Sequence, residues 1–147
     1  MGSLSLPTSG HVYIDAQIII YTVEKNEDYL ARLVPLWGAM QAGALQVVTS
    51  ELSILEATVL PKRLQDQQLL HDYMRFLELP GISLVPISRE ILGTAADIRA
   101  QLKKVKTPDA LHAATAIHAR CDMLVTNDDA LRSLRQIPVC YVNDLLP

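Results

Sequence analysis

The sequence predicts an α/β fold built around a parallel sheet. Short apolar runs alternate with longer stretches of helical periodicity along the whole chain, which is the pattern of successive βαβ units. Those runs lack a clean polar–apolar alternation, as strands covered on both faces do. The chain's 147 residues, half of them hydrophobic and a fifth charged, suit one domain with a core that needs no staples.

The elements follow in order. HVYI at 11–14 reads as the first strand, and AQIIIYTVE is long enough for a helix. Asn26 is placed to cap a helix through YLARLVPLWGAMQAG, which Pro35 would kink or divide and Gly43 would end. LQVVTS (45–50) reads as a strand and SELSILEATVL as a helix stopped near Pro61. DQQLLHDYMRFLEL (66–79) has apolar residues at helical spacing and is closed by Pro80 and Gly81. SLVPI (83–87) is the third strand, and SREILGTAADIRAQLKK a helical pattern. Thr107 and Pro108 restart a helix at DALHAATAIHAR, MLVT (123–126) is the fourth strand and PVCYV (138–142) the fifth.

No repeat or linker divides the chain, so 11–147 is expected to be one domain. Residues 1–10 read as a flexible segment or a remnant of an expression tag. The start MGSLSLPTSG has no basic region and no long apolar core, unlike a signal peptide. Residues 33–50 carry no formal charge, but Pro35, Gly38, Gln41, Gly43 and Gln46 interrupt them, so no membrane span is expected. Cys121 and Cys140 have neither metal-ligand spacing nor the density of a disulfide scaffold. Two buried free thiols in a reducing cytoplasm are expected. A net charge of −3 does not advertise nucleic acid, nor does it exclude it, because a metal site built from carboxylates drives the total negative.

The stretch TPDALHAATAIHARCDMLVTND (107–128) has an acid near each end. In a parallel sheet each strand ends at one edge, and the following helix starts there. A helix from Asp109 climbs about 16 Å over some eleven residues, and the MLVT strand recovers most of that distance at about 3.3 Å per residue. Asp128 thereby returns to the edge where Asp109 began. Asp15 directly follows the first strand, and Glu56 lies about two turns into the helix after LQVVTS. Four carboxylates from four segments thus aim at the edge where open α/β sheets keep their sites. Like charges that close raise one another's pKa values unless a cation lies between them. Hard oxygen donors suit Mg²⁺ or Mn²⁺, ions that activate water and stabilise a phosphodiester displacement.

Each acid also has a structural explanation. Asp109 follows a Thr-Pro helix start, Ser53 and Glu56 fit a capping box, Asp15 could cap the first helix, and Asp128 or Asp129 could cap DALRSL. Topology alone leaves the two readings level.

VYIDAQIIIY, TSELSILEATV, TPDALHAATAIHARCDMLVTND and the closing VCYV occur in the order and spacing of PIN domains. The chain resembles most the small stand-alone VapC-type members, over nearly its whole length. The resemblance implies a PIN-like three-layer fold, a five-stranded parallel sheet flanked by helices, and a ribonuclease dependent on Mg or Mn. It puts the family's acids on Asp15, Glu56, Asp109 and Asp128, and its T-N-D motif on Thr126, Asn127 and Asp128. It further implies a homodimer, an RNA substrate and a cognate antitoxin protein that holds the enzyme inactive by inserting a segment into the cleft. One departure stands out: the family usually has Asn two residues after its first acid, where this chain has Gln17.

Asp129 is the understudy to Asp128, and Glu51 a weaker rival to Glu56. Arg89, Lys104 and Lys106 are candidate contacts for an RNA backbone, against the plainer reading of solvated surface. His112, one turn beyond Asp109, reads as a packed core histidine with a possible hydrogen bond toward the acids. A haloacid-dehalogenase-like phosphatase would need a second Asp at Gln17, and a phosphorelay receiver an Asp after SLVPI. No P-loop or dinucleotide fingerprint is present. The first expectation is a cytoplasmic endoribonuclease, the toxin of a type II toxin–antitoxin pair. The alternative, to which Gln17 points, is a non-catalytic PIN module that binds RNA or a protein partner.

Overall fold

The computed structural model describes residues 6–146. Half of the expected N-terminal segment, residues 1–5, lies outside the described residues, as does Pro147. Five strands, β1 (Gly10–Ile14), β2 (Leu45–Ser50), β3 (Ile82–Val85), β4 (Met123–Thr126) and β5 (Val139–Tyr141), form one sheet in the order β3-β2-β1-β4-β5. Every pairing is parallel. Six helices connect them: α1 (Ala16–Val23), α2 (Leu30–Gln41), α3 (Leu52–Arg63), α4 (Gln67–Leu77), α5 (Arg89–Gln101) and α6 (Thr107–His118). Short 3₁₀ turns follow β4 and β5.

Side chains alternate across the sheet and build a core on each face. Val12, Ile14, Val47, Met123 and Val125 pack against Ile18, Ile19, Leu33, Leu36, Tyr73 and Leu77 of the α1–α4 layer. Tyr13, Val48 and Leu124 point the other way, toward Ile91, Ile98, Ala110, Ala113 and Ala114 of α5 and α6. Ala110, Ala113, Ala114 and Ala116 of α6 are fully buried in that face. Each fully buried Leu or Ile contributes roughly 1.5–3 kcal/mol relative to exposure. The three layers are those expected.

The chain leaves the centre of the sheet twice. From β1 it moves outward through β2 to β3, then returns to the other side of β1 as β4 and continues to β5. The β1/β4 boundary is therefore the topological switch, where open α/β sheets form a crevice at their carboxyl edge. No described helix is long and apolar enough to cross a membrane.

Several local expectations are corrected. Asn26 does not cap α2; its side chain accepts the Asp28 amide in a preceding turn, and the helix begins only at Leu30. Pro35 stays inside α2 and Pro61 inside α3, because tertiary burial outweighs one forfeited backbone bond apiece. The helix expected to restart at DALHAATAIHAR begins at Thr107 itself, whose hydroxyl accepts from the Arg99 guanidinium. The Ser53–Glu56 capping box does not form. Ser53 is buried against Thr49, Oγ to Oγ 2.7 Å, while the Ser50 hydroxyl accepts the Leu52 amide at the helix start. Cys140 is buried as expected, but Cys121 is only partly so.

The helix ends explain other misplaced boundaries. Lys25, Gln65 and Arg120, after α1, α3 and α6, adopt φ values of 53°, 54° and 55°. The next amide in each case bonds back to Tyr21, Pro61 or Ala116, the Schellman closure usually made with glycine. Only Gly43, with φ 76° after α2, provides the expected residue.

Candidate active site

The carboxyl edge at the switch opens into a cleft of about 660 Å³ whose lining includes Asp15, Gln17, Tyr21, Glu56, Asp109, His112, Asn127, Asp128 and Asp129. Asp15 arrives there because β1 ends at Ile14 and α1 starts at Ala16. Its carboxylate accepts the Ile18 amide at 3.3 Å, so it caps α1 and lines the cleft with the same side chain. The Thr126 hydroxyl, at the end of β4, donates to its other oxygen at 2.5 Å. Thr126 Oγ1 in turn accepts the Asp128 amide at 3.1 Å, so one buried hydroxyl ties the loops after β1 and β4 together.

Asp128 likewise has two roles: its carboxylate accepts the Ala130 amide at 2.9 Å and caps the 3₁₀ turn while facing the cleft. Asp109, in the first turn of α6, lies within hydrogen-bond reach of Asp128. Asn127 is a bracket: its amide donates to the Tyr21 hydroxyl and its oxygen accepts the Asn143 amide, both at 3.1 Å. Tyr21 stacks on Tyr29 with ring centroids 4.2 Å apart.

Glu56 reaches the cleft two turns into α3 and meets His112 of α6, Oε1 to Nε2 2.6 Å. His112 is buried, and its Nδ1 lies 2.6 Å from the hydroxyl of Tyr13. That hydroxyl also accepts the Ser50 amide at 3.1 Å. Tyr13 was missed at the sequence level. Its signal was a phenol in an otherwise apolar strand, whose hydroxyl must find a partner when buried. Tyr21 and Asn143 were missed as well, since their roles depend on loops that pattern reading does not place.

Electrostatics set Asp15 and Asp109 apart from ordinary surface carboxylates. Burial raises the Asp15 carboxyl above its usual value and Glu56 adds to this, while the His112 imidazole, the Thr126 hydroxyl and the Ile18 amide act in the opposite direction. Burial first, and then Asp128, push Asp109 up to about 7 from 3.8. Two carboxylates held this close repel unless they share a proton or a cation.

Among the described residues, no three His, Cys, Asp or Glu side chains form a ready-made metal cage. Mg²⁺ does not require one, because it keeps several waters and binds proteins through one or two carboxylates. The all-oxygen donors and the unrelieved Asp109–Asp128 repulsion fit a hard divalent cation.

The other sequence candidates lie elsewhere. Glu51 is exposed at the start of α3 and does not line the cleft. Asp129 is on the cleft rim but is mostly exposed and pairs with Arg132 at 2.9 Å. Arg89 opens α5, and Lys104 and Lys106 precede α6; all three are exposed and outside the cleft lining.

A family model described as PIN domain matches residues 12–137. No significant match was found among curated proteins. The solved structures similar to this chain include VapBC2 from Rickettsia felis bound to a DNA fragment from their promoter, with a TM-score of 0.70 and 17% identity over 88% of this chain and 96% of that one. FitAcB from Neisseria gonorrhoeae is similar with a TM-score of 0.68 and 17% identity over 91% and 99%. A toxin–antitoxin complex from Klebsiella pneumoniae follows with 0.61 and 21% over 89% and 97%. At these identities the likeness is one of fold.

Proposed function

The chain belongs to the PIN domain family, and from that premise we propose that it is a metal-dependent endoribonuclease, the toxin of a type II toxin–antitoxin pair. The observation that carries the reading is the convergence of Asp15, Glu56, Asp109 and Asp128, from four separate segments, on one cleft. Asp15, Asp109 and Asp128 would hold Mg²⁺ or Mn²⁺, with Glu56 assisting. When bound, such an ion supplies activation of water and stabilisation of charge on the phosphate.

The chain's own residues fix the geometry of that step. Thr126 and the Ile18 amide hold the Asp15 carboxylate, and the Ala130 amide holds that of Asp128. Asn127 braces the loop between them against Tyr21 and Asn143. Asp129 supports the rim. A scissile phosphate in the cleft would undergo in-line attack by water, leaving a 3′-hydroxyl and a 5′-phosphate. Arg89, Lys104 and Lys106 are proposed to contact the RNA backbone beyond the cleft, where their exposure leaves them free to do so.

The full-length likeness to toxin–antitoxin complexes supports a cognate antitoxin as partner. A homodimer acting in the cytoplasm belongs to the same proposal. The second reading, a non-catalytic PIN module, draws on Gln17, which lines the cleft where the family usually has Asn. Degradation of total cellular RNA in Mn²⁺ and in EDTA decides between them. Asp15→Asn and Asp109→Asn, each checked for folding by circular dichroism, are expected to lose the Mn²⁺-dependent activity. Full activity in either folded variant would overturn the assignment.

A further inference from the structure

We infer that His112 is a positioning residue, its ring locked by Tyr13 in the tautomer that aims Nε2–H at Glu56 and holds that carboxylate over the cleft. Direction follows from counting protons. The Ser50 amide can only donate, so it uses one lone pair of the Tyr13 hydroxyl. The shortest hydrogen bond of that hydroxyl is to His112 Nδ1 at 2.6 Å, and the Thr49 and Thr115 hydroxyls also approach it. Tyr13 is fully buried, and a phenol proton there needs an acceptor. At the other end of the His112 ring Glu56 Oε1 lies 2.6 Å from Nε2, and a carboxylate only accepts, so Nε2 carries a proton. In the neutral ring Nδ1 is then the bare nitrogen, so the Tyr13 hydroxyl at 2.6 Å donates to it while Nε2–H donates to Glu56.

The relay begins in the backbone at the end of β2, crosses beneath the sheet edge through β1 and α6, and ends on α3. Phenylalanine would fill the place of Tyr13 without needing any partner, and an aliphatic residue would fill that of His112. Glu56 has the opposite problem. Its side chain is 28% exposed, so water can solvate it and burial does not immobilise it. Three rotatable bonds would let it leave the cleft, and the His112 bond removes that freedom.

The consequence for metal binding rests on the proposed function, but the lock itself does not. Long-range proton–nitrogen NMR correlations on ¹⁵N-histidine-labelled wild-type protein test the lock directly. An unprotonated Nδ1 and a protonated Nε2 on His112 are expected, with the distinction blurred in Tyr13→Phe. The reverse tautomer would overturn the inference. Titration with Mn²⁺, read by electron paramagnetic resonance, tests the consequence. Loss of such an orienting partner typically lowers metal affinity about 10–100-fold, which is the loss expected for His112→Leu, with a smaller one for Tyr13→Phe. His112→Gln, whose amide can stand in for Nε2–H, is expected to restore most of the affinity. Should His112→Leu fail to fold, Tyr13→Phe and the tautomer still decide. A folded His112→Leu with wild-type Mn²⁺ affinity would reduce the relay to core packing. If Asp15→Asn binds Mn²⁺ as wild type does, it is the nuclease reading that fails, and the tautomer measurement alone judges the lock.

Discussion

Replacing Asp109 with Asn is expected to make the metal-free protein more stable while it destroys the site. Asp109 is half-buried and faces Asp128, and its carboxyl is pushed up to about 7 from 3.8. At about 1.4 kcal/mol for each tenfold change in proton affinity, the rise from 3.8 to about 7 corresponds to about 4 kcal/mol. Because the group is partly open to water, screening reduces this to about 1–2 kcal/mol. The sign is set by the raised value. Above the unfolded value near 4 the unfolded chain gives up its proton while the native pair retains one. Native stability therefore falls as pH rises from 4 to 7 and stays low above that. Urea unfolding in EDTA at pH 5 and pH 8 should show wild type losing about 1 kcal/mol more than Asp109→Asn across that interval, with the variant more stable at pH 8. Excess Mn²⁺ should reverse the ranking, since a ligand at 100 times its Kd adds about 2.7 kcal/mol to a protein that binds it. A variant less stable at pH 8 in EDTA, or with the same pH dependence as wild type, would refute the account of the pair as two unrelieved like charges.

Thr126→Val removes the hydroxyl that donates to Asp15 and accepts the Asp128 amide; a loss of about 1–3 kcal/mol in urea midpoint is expected, together with loss of cleavage. Gln65→Gly relieves a left-handed residue at the end of α3, and a gain of about 0.5–1 kcal/mol is expected by chemical denaturation, because the strain removed exceeds the added chain entropy. Gly10→Ala is expected to lower the thermal midpoint by several degrees: its φ is +88°, and an added Cβ would lie 2.2 Å from Asp122 Oδ2, the oxygen that accepts the His11 amide.

The sheet was legible because buried parallel strands announce themselves as apolar runs; LQVVTS and MLVT match β2 and β4 residue for residue. The convergence of the four acids was legible for a related reason. In a parallel sheet, chain direction alone determines which edge a residue reaches. Helix ends were less legible, because three of them use Lys25, Gln65 and Arg120 in a conformation that sequence rules reserve for glycine. The double duty of Asp15 and Asp128 could not be read either. Capping and lining a cleft had appeared as rival explanations, yet one carboxylate has enough lone pairs for both. The Tyr13–His112–Glu56 relay spans three elements that no local pattern connects.

The central claim, that these acids cut RNA with a bound divalent metal, is tested most directly by mapping new RNA ends. Purified protein is incubated with total cellular RNA and Mn²⁺, and 5′-phosphate ends are sequenced beside an Asp15→Asn control. Discrete ends present with wild type and absent with the variant are the predicted result, and they would identify the target in the same experiment. The same ends in both samples, or none in either while the wild type binds Mn²⁺, would contradict the claim.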